Sequence, residues 1–292
     1  MGDATDSREL LPTLATLPGH LFWRAHARVT AALADVLPVG VDIHAYAALL
    51  ALSGGETRSQ QSLAETIGVS RTTMVKVAAD LTAQGLVERV RNPDDRRSYA
   101  LTRTPEGAAA VRAWRPHADK LEDSITAGFS TTDRKEVHRL LVRVAEAELA
   151  PDVPLPLRAS IGFLISRIHA RMHREFVAAL APLDLMPPHY GALTALQALG
   201  PVSQVRLARS LGVSGAHMVQ IVDDLEDRGL VVRRRQESDR RAQVLHLREG
   251  VEEVLAQATE VGQETADQVL GVLSQRESNR LIALLQCFVT AP

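Results

Sequence analysis

The sequence predicts a mainly α-helical protein with small β-hairpin wings, built as two copies of one unit in a single chain. Three observations predict it. Shifted by 144 residues, Leu63–Leu101 falls on Leu207–Leu245, and 18 of the 39 paired residues are identical. Apolar residues recur at helical spacing through most of each copy. One short stretch per copy instead carries β-favouring residues around an arginine-bearing turn, the pattern of a hairpin. Two copies are too few for a solenoid and indicate a duplicated domain.

The match extends outward from that segment. Tyr46, Leu49, Leu52, Ser59 and Gln60 fall on Tyr190, Leu193, Leu196, Ser203 and Gln204. Arg24, His26, Ala27 and Arg28 fall on Arg167, His169, Ala170 and Arg171 with the offset reduced by one. Ser130–Asp133 and Ser274–Glu277 are each a helix N-cap with an acid three residues on. Residues 1–150 thus form a first unit and 157–292 a second. Between them 151–156 holds three prolines, which predicts a stiff, extended connection.

Within the first copy, residues 17–37 read as a long helix and Asp42–Leu52 as a nearly all-apolar second one. Gln60–Ile67 is a short third helix with Leu63 and Ile67 as an i,i+4 apolar pair. Gly68-Val69 makes a turn, and Ser70 caps a helix that ends at Gly85. Met74, Val77, Ala78 and Leu81 form its buried stripe, leaving Arg71, Thr72, Thr73 and Lys76 to solvent. Residues 86–91 and 98–103 read as a hairpin around the turn-rich segment Asn92–Arg97. A long helix follows from Gly107 to about Ile125, and a last one reaches about Ala150. Short helix, tight turn, second helix and hairpin make a winged helix-turn-helix, set between long helices that DNA contact alone does not require.

The exposed face of the Ser70–Gln84 helix carries hydroxyls and cations near its N-terminus, where a recognition helix meets base edges. Arg71 and Lys76 can donate to guanine acceptors or to phosphates, and Ser70, Thr72 and Thr73 to either. Arg96 and Arg97 stand at the hairpin tip, placed for a narrow minor groove or for bracing by Asp94 and Asp95. In the second copy the reading face changes: Arg71, Thr72, Thr73 and Lys76 become Gly215, Ala216, His217 and Gln220. Ser214 remains as the cap, Met218, Ile221, Val222 and Leu225 as the stripe, and Arg240 and Arg241 at the wing. The second unit therefore either reads a different base sequence or serves as a partner without base contacts.

These residues resemble the MarR family (multiple antibiotic resistance regulators), over nearly the whole chain and twice. The most specific stretches are Leu63–Ser70, Asp80-Leu81, Gly85–Arg89, the wing Asn92–Arg97 and Leu101–Gly107. The resemblance implies a sequence-specific regulator of double-stranded DNA, typically a repressor, working as a dimer whose long terminal helices interlock. With both copies in one chain, it implies an intrachain pseudo-dimer with long dimerisation-type helices, whose operator need not be palindromic; a homodimer of such chains stays open. It also implies a small aromatic or phenolic effector held between those helices and the reading unit, with Trp23, Arg24, His26 and Trp114 as lining candidates. The bland alternative is that these side chains are core and helix interface.

Bulk properties narrow the classes. Net charge is −2 and hydrophobic residues make up 46%, as in a folded globular chain whose basic residues are clustered locally. The longest apolar run, Ala45–Leu52, is too short to span a membrane, and no leader pattern opens the chain, so a cytoplasmic protein is expected. No phosphate loop, Cys-x-x-Cys, His-Glu-x-x-His or nucleophile elbow is present, which argues against an enzyme, a metal site or a cofactor. Cys287, in the apolar run Leu281–Val289, is expected to be a buried thiol. A winged-helix module for protein contacts, with weak or non-specific DNA binding, is the competing function; the two arginine wings weigh against it.

Overall fold

The structure is a computed structural model describing residues 10–37, 41–92, 99–235 and 243–291. α1 (Pro12–Ala15) and α2 (Pro18–Val36) lead to α3 (Ile43–Ala51), the two-residue β1 (Thr57–Arg58), α4 (Gln60–Ile67) and α5 (Arg71–Ala83). β2 (Val87–Arg91) and β3 (Tyr99–Arg103) precede α6 (Pro105–Ile125), α7 (Thr131–Ala145) and the short α8 (Leu155–Arg158). The series then repeats as α9 (Ile161–Leu180), α10 (Pro187–Leu199), α11 (Gln204–Leu211) and α12 (Gly215–Asp227). It closes with β4 (Val231–Arg235), β5 (Gln243–Leu247), α13 (Val251–Leu270) and α14 (Gln275–Thr290). The chain is mainly α with small antiparallel sheets and two winged helix-turn-helix units, as expected. Among the described residues, no helix is long and apolar enough to cross a membrane.

Local chemistry sets the boundaries. Ser59, Ser70, Ser130, Ser203, Ser214 and Ser274 each accept a backbone N–H from three residues on, satisfying one of the open donors of a helix start. α6 begins at Pro105 rather than at Gly107, because Thr104 caps it through the Gly107 N–H at 3.0 Å and Pro105 suits a first turn. The segment before Arg158 is not wholly extended either. Leu155 opens α8 with Pro156 in its first turn, where the missing N–H costs nothing.

The strands pair antiparallel, Val87 with Arg103 through Arg91 with Tyr99, and Val231 with Leu247 through Arg235 with Gln243. In the first copy β1 adds a third strand on β3, with Thr57 opposite Thr102. Its counterpart in the second copy shrinks to one bridge, Val202 with Leu245. The residue matching Thr57 is Pro201, which has no N–H to give a ladder.

The described chain forms two compact units: His26–Ile168, and the segment before His26 together with His169 onward. In the first, Leu49, Leu63, Met74 and Leu81 are fully buried, and Val153 and Leu157 join the same core. In the second, Leu193, Met218, Val222 and Leu225 form the core, and Leu14 of α1 packs into it. α14 buries Leu281, Leu284, Leu285, Phe288 and Val289. Cys287 lies off that stripe and is exposed, contrary to the expectation of a buried thiol.

Candidate nucleic-acid interface and the adjoining cavity

α5 is held at its start by Ser70, whose Oγ accepts the Thr73 N–H at 3.0 Å and lies 2.8 Å from Thr73 Oγ1. Ser70, Arg71, Thr72 and Lys76 are exposed, while Thr73 is half-buried against its cap. Below them the expected stripe of Met74, Val77, Ala78 and Leu81 is buried. Val75 is 51% exposed on the same helix, an apolar group facing water. Its repeat partner Val219 is also exposed, at 42%. The sequence reading passed over both valines, although each falls off the buried stripe in both copies. An exposed methyl on a reading helix suits the thymine C5-methyl group.

α12 is built alike and charged differently. Ser214 Oγ accepts the His217 N–H at 3.2 Å, and Ser214, His217 and Gln220 are exposed. α5 holds Arg71, Lys76 and a single carboxylate, Asp80. α12 holds no lysine or arginine and four carboxylates: Asp223, Asp224, Glu226 and Asp227. Some of these are engaged. Arg233 of β4 donates to Asp223 at 2.6 Å, to Gln204 at 3.1 Å and to Glu226. Arg233 therefore braces the wing, and Arg234 and Arg235 are exposed. At the first wing, Arg89 and Arg91 lie over the half-exposed Tyr99 ring, 5.3 and 5.1 Å from its centroid. The wing-tip candidates Arg96, Arg97, Arg240 and Arg241 lie outside the described residues.

The four candidates for an effector site divide between the two units. Trp23, half-buried, lines a cavity of about 170 Å³ in the unit that contains α12. Arg24 lies in the same unit but packs against the helix-turn-helix turn, where a Cβ on Gly212 would stand 3.1 Å from its Nη1. Arg167 occupies the repeat-related place under Gly68. His26 belongs to the other unit and meets Ser166 Oγ at 3.2 Å. Trp114 packs on that unit's core. Burial lowers the pKa of both Arg24 and His26.

The cavity is walled by Trp23, Phe176 and Tyr190, the last two meeting edge to face at 5.4 Å, and by His217 and Ile221 of α12. Among the described residues its lining holds histidines but no lysine, arginine, aspartate or glutamate. His20 lies in the wall beside Trp23, and its pKa is lowered to about 4, first by burial and then by Arg24. The folded chain thus holds His20 neutral where the unfolded chain binds a proton, and stability falls as pH drops from 6.5 toward 4. Replacing His20 with phenylalanine is expected to remove about 3 kcal/mol of that acid loss, read as urea midpoints across this range. An unchanged slope would show that His20 is not held neutral.

A family model described as the MarR family matches residues 39–98 and 183–242. The transcriptional repressor CouR, solved bound to a 23-mer DNA duplex, is 30% identical, covering 43% of this chain and 89% of that chain with a TM-score of 0.41. CouR from Rhodococcus jostii RHA1 bound to p-coumaroyl-CoA is 28% identical, covering 47% and 96%, with a TM-score of 0.42. Wild-type MarR from E. coli, in its apo form, is 25% identical, covering 43% and 93%, with a TM-score of 0.39. With the family model matching once in each copy and 30% identity to a repressor it covers almost whole, the chain belongs to the MarR family of transcriptional regulators.

Proposed function

We propose that the chain is a ligand-responsive repressor that binds an operator of two unlike half-sites as a single-chain pseudo-dimer in the cytoplasm. The contrast between α5 and α12 supports this reading above all: one duplicated reading helix keeps its cations and the other has lost them. The copies at 1–150 and 157–292, joined by 151–156, supply one reading helix each, although residues 10–25 pack with the second unit and 157–168 with the first. On the first, Arg71 and Lys76 read guanine edges or hold phosphates, with Ser70 and Thr72 beside them and Val75 against a thymine methyl. On the second, His217, Gln220 and Val219 make a weaker, less cationic contact, with Ser214 capping the helix. Arg96, Arg97, Arg240 and Arg241 supply sequence-independent affinity from the wings. That CouR was solved on a DNA duplex and with p-coumaroyl-CoA supports both halves of the proposal.

Light scattering of the full chain on its selected operator, over a range of salt, tests this. One chain per two-half-site duplex is expected, with affinity falling steeply as salt rises. Two chains per duplex would remove the pseudo-dimer. Binding to no duplex at all would leave a module for protein contacts.

A further inference from the structure

The position of the cavity is built differently in the two units. In the His26–Ile168 unit, Glu122 of α6 accepts the Ile161 N–H at 3.0 Å, the Gly162 N–H at 3.1 Å and the Ser160 hydroxyl. Its carboxylate occupies the space at the first turn of α9. One repeat away Glu122 becomes Ala266, and Ser160, Ile161 and Gly162 become Leu17, Pro18 and Gly19. Alanine offers no acceptor and Pro18 no N–H, so this clamp has no equivalent there. Those four residues line the cavity instead.

The cavity's chemistry is selective. At about 170 Å³ it resembles in size the apolar cavities of roughly 150 Å³ that hold a benzene ring. Aromatic and aliphatic faces make most of its wall, and a buried anion would find no arginine or lysine in the lining to pair with. His20 Nε2 is buried and meets no hydrogen-bond partner among the described residues, which leaves a place for one polar substituent. His217 serves two surfaces at once, standing exposed at the start of α12 and lining the cavity, with Ile221 one turn on. A molecule in the cavity therefore touches the second reading helix directly.

The geometry points to a site for one neutral aromatic molecule per chain, carrying a hydrogen-bonding group, whose binding releases the second half-site and leaves the first held. This rests on the regulator reading above and adds to it the effector's charge, its stoichiometry and the arm it acts on. A ligand shifts an equilibrium only by its differential affinity for the two states, and here the contacts that change with α12 belong to one arm.

4-Hydroxybenzamide and 4-hydroxybenzoate, alike in shape and unlike in charge, serve as probes for calorimetry on the full chain and for footprinting on the operator. The amide is expected to bind once per chain, and the benzoate at least about tenfold more weakly for want of a buried counter-charge. The amide should clear protection from the half-site under α12 and spare the half under α5. Ala266→Leu fills the cavity with hydrocarbon and should abolish amide binding. His20→Phe keeps the ring, loses both nitrogens and should weaken the amide about fivefold or more; it carries the test should Ala266→Leu fail to fold. Two molecules per chain, tighter benzoate, no binding of either probe, or release of both half-sites together would overturn the inference. A chain that binds the amide but no DNA would overturn the regulator reading instead.

Discussion

Replacing Arg71 with alanine is expected to relax one half of the operator and leave the other as selective as before. A bidentate arginine–guanine contact discriminates by roughly 1–3 kcal/mol, about five- to 150-fold between the right base and a wrong one. Arg71 stands exposed at the start of α5, and the matching residue on α12 is Gly215, which offers no side chain. α12 also carries four carboxylates, which disfavour close approach to phosphates. The strict half-site is therefore expected under α5. His217→Ala should change base preference by no more than about threefold, the scale of a single weak contact. Binding titrations over every single-base variant of the operator, for wild type and both substitutions, measure this. A palindromic preferred site, or equal tolerance in the two halves, would show that the copies read alike.

Much of this arrangement was legible in the residues because it depends on local rules. Serine caps, a left-handed glycine after α4 and the apolar stripes of α5 and α12 are set by neighbours within one helical turn, and both copies repeat them. The hairpins were legible from their turn residues. β1 was not, since two residues carry no period; its loss in the second copy becomes clear only when Pro201 is seen opposite Leu245's strand. The effector candidates show the limit more sharply. Trp23, Arg24 and His26 are adjacent in sequence, yet Trp23 lines the cavity, Arg24 lies under Gly212 and His26 meets Ser166. Neighbours on a helix point about 100° apart, so tertiary packing alone decides which of them share a site. Val75 and Val219 were missed for the opposite reason: valine ordinarily signals core, and only their exposure sets them apart from the buried stripe.

The turn glycines give the second large effect. Gly68 and Gly212 end α4 and α11 in the left-handed region, at φ +75° and +70°, where any other residue costs roughly 1–2 kcal/mol. Backbone strain alone thus predicts equal losses for alanine at either. The packing does not. A Cβ on Gly212 would stand 3.1 Å from the tip of Arg24, which a small shift of a guanidinium relieves. On Gly68 it would stand 2.6 Å from Arg167 Cδ and 2.7 Å from Cζ, so the stem as well as the tip must move. Arg167 also donates to the Glu148 carbonyl, which resists that movement. Overpacking of this kind adds about 1–3 kcal/mol. Gly68→Ala should therefore destabilise its unit by roughly 2–5 kcal/mol and Gly212→Ala by about half as much, measured as denaturant midpoints. The clash itself is isolated by a double-mutant cycle. In an Arg167→Ala background the cost of Gly68→Ala should shrink by about 1–3 kcal/mol, because the obstructing side chain has gone. Additive losses in that cycle would mean that Arg167 yields freely, and that the two turns differ in sequence context but not in packing.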